Sequence, residues 1–159
     1  RECDFKGSDY MPNTKWSTLS DLQLGKYGEY YSKMEFLSYG FYVYTPDIDD
    51  HSIDFIIEDK QGKFYAVQVK SIRKMGYVYI TKKHKLDYIC LLHFIDGNVP
   101  KMYVLPIDSW DAANPALVDR LYDKLGQKSK PEWGINFSMK NVDLLDEYVA
   151  DTFLPKLLE

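Results

Sequence analysis

Cysteine is scarce. Cys3 and Cys90 are the only two in 159 residues, far apart, with no Cys-x-x-Cys or Cys/His spacing. A disulfide framework and a structural zinc site are therefore not expected, and a reducing cytoplasm is the expected setting. Long apolar runs are also missing, so no stretch reads as a membrane span, and no signal-like pattern opens the sequence. There is no GxxxxGK(S/T) loop, no GxGxxG after a strand, no HExxH and no GxSxG. Nucleotide hydrolase, dinucleotide oxidoreductase, zinc protease and α/β-hydrolase chemistry thus have no motif to carry them. Internal repeats and low-complexity tracts are absent too.

What is present is a chain long enough for one domain with a real core, and rich in tyrosine, with fourteen. Residues 1–18 lack periodicity and read as an N-terminal arm, packed through Phe5, Tyr10 or Trp16; residues 19–159 read as a single α/β domain. Ser20 to Tyr39 is the best helix, with Ser20 and Gln23 as a capping box and Gly40 as its C-terminal stop. Its expected inward stripe is Leu22, Gly25, Glu29, Ser32 and Phe36. Glu29 on that stripe needs a partner; Glu35 is the less favoured carboxylate.

Ser52 to Arg73 reads as two strands joined by Lys60-Gln61-Gly62, a three-residue loop closed by a left-handed glycine. That loop sets the register: Asp59 faces Lys63, Glu58 faces Phe64, Ile56 faces Ala66, and Asp54 faces Gln68. Residues two apart share a face, so Asp54, Gln68 and Lys70 converge. A carboxylate and an amide oxygen are hard ligands of the kind Mg²⁺ takes, and a neighbouring lysine can hold a water or offset phosphate charge. The simpler reading is a hairpin with an edge Asp–Lys pair and a glutamine in solvent.

Net charge is −4, yet Lys60 to Lys85 holds eight basic residues and no acidic one. Lys63, Arg73, Lys74, Lys82, Lys83 and Lys85 in that band are candidate nucleic-acid contacts, in the pattern a phosphate groove would show. A solvated lysine-rich loop is the alternative, and His84 within it reads as incidental.

Asp54, thirteen residues, then Gln68-Val69-Lys70 resembles the core of the PD-(D/E)xK nuclease superfamily, which includes restriction-endonuclease-like proteins and Holliday-junction resolvases. The resemblance spans Leu19 to Ile80. It implies a restriction-endonuclease-like α/β/α sandwich, with a central mixed sheet and flanking helices. It also implies Mg²⁺, or Mn²⁺, held by Asp54, Gln68 and the Val69 carbonyl, with Glu29 from the first helix joining the site and Lys70 positioning the nucleophile. The implied activity is phosphodiester hydrolysis, with nucleic acid as partner, DNA ahead of RNA, and with a homodimer left open. Two features depart from the pattern. Gln68 stands where an acidic residue is usual, which removes one negative charge. The Pro-Asp pair, Pro46-Asp47, precedes the hairpin, and Asp54 is preferred for its place opposite Gln68.

Two other readings stand beside this one. One is a non-catalytic nucleic-acid- or protein-binding module on a degenerate nuclease scaffold. The other is an interaction protein using its tyrosine-rich faces.

The remaining expectations are structural. Phe41 to Tyr44 is a strand, and Thr45 to Ser52 is an acidic loop with Asp47, Asp49, Asp50 and His51. Tyr77 to Thr81 is a strand with its tyrosines on one face, able to stack on bases or cover a sheet. Asp87 to Ile95 is a buried strand paired with Lys101 to Ile107. Leu117 to Leu125 reads as a short helix and Gln127 to Gly134 as a polar link, with Trp133 in the core. Asn141 is the expected cap of a last helix, Val142 to Ala150, with Leu144, Leu145 and Tyr148 inward.

Overall fold

A computed structural model describes residues 11–48 and 52–159. Cys3, Phe5, Tyr10, Asp49, Asp50 and His51 lie outside the described residues. Helix α1 runs Asp21–Ser38, and Ser20 and Gln23 make the expected reciprocal capping box. Gly40 follows at φ +93°, the left-handed turn that ends the helix. The inward stripe, however, is Leu24, Gly28, Ser32 and Phe36. Leu22 is 87% exposed and Gly25 is also at the surface, so the expected stripe was rotated at its N-terminal end.

Five strands form the central sheet, in the order β1-β2-β3-β5-β6: β1 Tyr42–Tyr44, β2 Phe55–Glu58, β3 Phe64–Ile72, β5 Tyr88–His93 and β6 Lys101–Pro106. β3 and β5 are parallel; the other neighbours are antiparallel. The sheet is therefore mixed, as expected. β5 is buried along its whole length because both faces of the sheet are covered.

One face is covered by α1 and the C-terminal segment. Phe55, Ile57, Val67, Cys90, Leu92 and Val104 pack there with Leu24, Phe36 and Leu154. A second, antiparallel sheet covers the other face, in the order β4-β8-β7: β4 Gly76–Thr81, β7 Leu117–Arg120 and β8 Glu132–Phe137. Ile80, Leu117, Trp133, Ile135 and Phe137 pack there against Ile89, Leu91, Tyr103 and Leu105. That flank is a sheet where helices were expected.

Three local readings are corrected. Residues 117–125 form a strand and loop, not a helix: the apparent helical repeat leaves Leu121 and Leu125 at 52% and 106% exposure, with only Leu117 of the three buried. The supposed polar link ends in β8, whose Gly134 lies beneath the Tyr77 ring and so escapes a strand pattern. Val142–Tyr148 is 3₁₀ rather than α-helical, with Leu144 exposed. Asn141 does not cap it; its amide donates to the Asn136 carbonyl at 3.2 Å.

Trp16 anchors the N-terminal segment. It is buried against Tyr27 and Phe94, and its indole donates to the Asn98 carbonyl at 2.8 Å.

The helix sits on β3 through a glycine. A Cβ at Gly28 would lie 2.0 Å from the Ser71 hydroxyl oxygen and 3.3 Å from its Cβ. Only a residue without a side chain allows this approach. Gly28→Ala is therefore expected to destabilise the chain by about 1–3 kcal/mol despite its better helix propensity. Ser71→Ala in the same chain should recover part of that loss, because the Ser71 hydroxyl is buried without a hydrogen-bond partner. Urea unfolding of the single and double variants measures both effects.

Candidate active site

The β2–β3 hairpin takes the predicted register: Phe55 opposes Val67, Ile56 opposes Ala66 and Glu58 opposes Phe64. Gly62 closes the turn at φ +81°, and the Asp59 carboxylate accepts from the Gln61 and Lys63 amides at 2.9 Å each. One step beyond the ladder, the Asp54 amide donates to the Val67 carbonyl at 2.9 Å; the bond is to Val67, the partner of Phe55, and the ladder pair of Asp54 with Gln68 that the loop-set register predicts is not formed.

β3 divides its side chains between the two faces. Val67 belongs to the core under α1, while Ala66 and Ile72 pack against the second core. Gln68 and Lys70 share the parity of Ala66 and Ile72. Together with Ser52, Tyr79, Ile80, Thr81 and Lys83 they line a polar cavity of about 250 Å³ between β3 and β4. The amide oxygen of Gln68 is itself buried and has no hydrogen-bond partner among the described residues. A buried acceptor left so costs about 1–3 kcal/mol unless something engages it.

Asp54 stands at the edge between the faces. Its carboxylate accepts from the Val69 amide at 2.6 Å, a charge-assisted bond to the strand that carries Gln68 and Lys70. Its negative charge adds to burial in pushing the Cys90 thiol up, so that cysteine stays an inert core residue.

Glu29 comes from the helix side. It flanks the true stripe and does not share the sheet face of Gln68 and Lys70. Lys26 donates to its carboxylate at 2.9 Å, and the Lys33 ammonium lies 3.9 Å away. The hydrogen bond and charge of Glu29 raise the Lys26 ammonium above its ordinary range, and Asp54 adds a smaller push the same way. Lys26 thus lies within electrostatic reach of both carboxylates. Among the described residues, no three His, Cys, Asp or Glu side chains cluster as a metal site. The donors near the cavity are the Asp54 carboxylate, the Gln68 amide oxygen and the Val69 carbonyl, with Glu29 on the other side of the sheet.

The basic band is divided by the fold. Arg73 is committed internally: its guanidinium pairs with Asp21 at 2.6 Å and donates to the Trp16 and Leu19 carbonyls. Lys82 pairs with Asp119 and lies 5.2 Å from the Trp133 ring centre. Neither is a free contact for phosphate. Lys63 lies over the Tyr65 ring, 5.1 Å from its centre, at the far end of β3. Lys74, Lys83 and Lys85 are exposed, and Lys83 borders the cavity. A second groove, lined by Tyr65, Asp87, Tyr88 and Asp108, has only acidic charges and the wrong sign for phosphate.

No family model matches the chain, and no curated protein matches it. Among the solved structures similar to it are the following two. One is a bacterial homing endonuclease, I-Ssp6803I, at 22% identity and a TM-score of 0.45, covering 57% of this chain and 72% of that one. The other is Hjc, a Holliday junction resolvase from the archaeal hyperthermophile Archaeoglobus fulgidus, at 15% identity and a TM-score of 0.48, covering 81% of this chain and 97% of that one. Neither similarity by itself assigns a function to this chain.

Gln68 is the position that sets the site's charge. Replacing it with glutamate supplies a carboxylate at the buried, unpartnered acceptor. Gln68→Glu is expected to tighten Mn²⁺ or Mg²⁺ binding by about tenfold, measured by titration calorimetry. An unchanged affinity would separate Gln68 from any bound cation.

Proposed function

We propose that this chain is a metal-dependent nuclease that hydrolyses phosphodiester bonds in DNA, on a restriction-endonuclease-like scaffold. One observation carries the reading. The Gln68 oxygen is buried without a partner among the described residues, Gln68 lines a cavity with Lys70 and Lys83, and the Asp54 carboxylate accepts from the Val69 amide between Gln68 and Lys70.

The donor set fits a hard divalent cation. Asp54, the Gln68 amide oxygen and the Val69 carbonyl would hold Mg²⁺ or Mn²⁺, all with oxygen ligands. When bound, the ion would supply Lewis acidity toward the phosphate and lower the pKa of a water. The protein's own groups do the rest. Lys70 fixes the attacking water and offsets charge growing on the non-bridging oxygens. Glu29, held by Lys26 and Lys33 on the helix side of the sheet, stands apart from the cavity that Lys70 lines and takes no part in the proposed step. Lys83, with Lys74 and Lys85 at the surface, takes the flanking phosphates.

The Asp54 hydrogen bond to Val69 shapes the choice of variant. Removing the carboxylate outright deprives a part-buried amide of its acceptor. Asp54→Asn keeps an acceptor and removes the charge, so it separates chemistry from folding.

A binding module without catalysis is the second reading, favoured by the missing charge at Gln68 and the absence of a three-residue metal cluster among the described residues. It would hold nucleic acid without divalent metal.

The two readings part in a cleavage panel of plasmid, branched DNA and structured RNA with Mg²⁺ and Mn²⁺. Lys70→Ala and Asp54→Asn are each expected to lower cleavage at least a hundredfold with an unchanged circular-dichroism spectrum. If both variants cut like the parent, the site is misplaced; if the parent binds salt-sensitively but never cuts, the module reading holds.

A further inference from the structure

The second sheet leaves one face to solvent, and its side chains differ sharply in freedom. Tyr77 and Tyr79 lie on that face, alternating with the buried Ile80 and opposing Asn136 and Gly134 of β8. Tyr77 is built into the sheet. Its ring covers Gly134, where an added Cβ would meet the tyrosine hydroxyl at 2.2 Å. The hydroxyl donates to Glu132 at 2.7 Å, and the Arg120 guanidinium lies 4.3 Å from the ring centre. Burial, then the Glu132 hydrogen bond and charge, push the Tyr77 hydroxyl far above its usual range, so it remains a neutral donor.

Tyr79 is held on one side only. Its ring centre is 6.3 Å from that of Tyr77, with the planes 21° apart, yet the residue is 53% exposed. Tyr79 also lines the cavity that holds Gln68, Lys70 and Lys83. The next outward residue on β4, Thr81, lines the same cavity. An exposed tyrosine with a neighbouring ring behind it thus belongs to the lining of a cavity that also carries Lys70 and Lys83. That pairing of π-face and phosphate-binding charge is what single-stranded nucleic acid requires.

Resting on the nucleic-acid reading above, we infer that Tyr79 is a stacking platform for an unpaired base next to the phosphate taken at Lys70 and Lys83. The substrate class follows. In a paired duplex each base face is covered by its neighbours, and exposing one costs unstacking energy. A single strand, flap or branch offers that face already open. Tyr79 is a positioning residue: it selects where unpaired nucleotides meet Lys70, and takes no part in the bond-breaking step. Tyr77, Arg120 and Glu132 keep the platform from turning.

Binding of single-stranded, flapped and fully paired DNA oligonucleotides, measured without divalent metal, tests this. Each carries 2-aminopurine at the unpaired position or its paired equivalent. The parent is expected to bind the single-stranded and flapped forms with quenching of the fluorescent base. Tyr79→Ala should weaken those two by about tenfold and abolish the quenching, leaving paired-duplex affinity unchanged. Tyr79→Phe keeps the ring and should restore both. Equal losses on all three substrates, or no loss on the flap while the parent still binds it, would overturn the inference and leave the nuclease reading standing. Failure of the parent to bind any of the three would overturn the nucleic-acid reading itself and the platform with it. Because Tyr79 is largely at the surface, the alanine variant should melt with the parent.

Discussion

Strand β3 has to satisfy two neighbours at once, and its two-residue repeat is the means. Alternate positions pass apolar or small groups to α1: Val67 into the core, and Ser71 against Gly28. The positions between them turn to the second sheet, where Ala66 and Ile72 pack and Gln68 and Lys70 line the polar cavity. A shift of one residue in the β2–β3 register would bury a lysine under the helix and expose a valine. The Asp59 turn and Gly62 hold that register from one end, and Asp54 on the Val69 amide holds it from the other. The candidate site and the fold therefore rest on the same backbone pairing.

Polar groups in this region serve twice. The Asp54 carboxylate satisfies a strand amide and supplies charge at the cavity's edge. Glu29 forms a helix-surface ion pair with Lys26 and also brings a second carboxylate within electrostatic reach of Asp54's surroundings. Gln68 keeps a buried oxygen that nothing among the described residues engages, as do the Ser71 and Tyr103 hydroxyls, but of these three only Gln68 lines the cavity with Lys70. Native interiors rarely keep such an atom without use, which is why the functional reading begins there and not at the larger acidic groove.

Charge sequence and charge function are not the same thing. Eight basic residues in a row of twenty-six suggest a continuous phosphate track. Folding removes Arg73 to hold the N-terminal segment to α1, and Lys82 to tie β4 to Asp119 of β7. The lysines left near the cavity are fewer and local. What the fold leaves near the cavity is Lys70 and Lys83, with Tyr79 in the same lining.

Much of the central sheet was readable beforehand because its signals are local. The Ser20–Gln23 capping box, the Gly40 stop, the Gly62 turn and the unbroken apolar run of β5 each depend on neighbours in the chain, and each appears where expected. The second sheet was not readable. β8 carries a glycine that makes sense only once Tyr77 lies across it, and the leucines near β7 mimic a helix while standing in solvent. Which face of α1 turns inward was decided by the fit of Gly28 onto Ser71, a contact forty-three positions apart in the chain. Whether Gln68, Lys70 and Tyr79 share one cavity was likewise settled by packing between sheets. Short-range hydrogen bonding and side-chain alternation are written residue by residue. The meeting of distant surfaces depends on shape, and shape exists only after the chain has closed on itself.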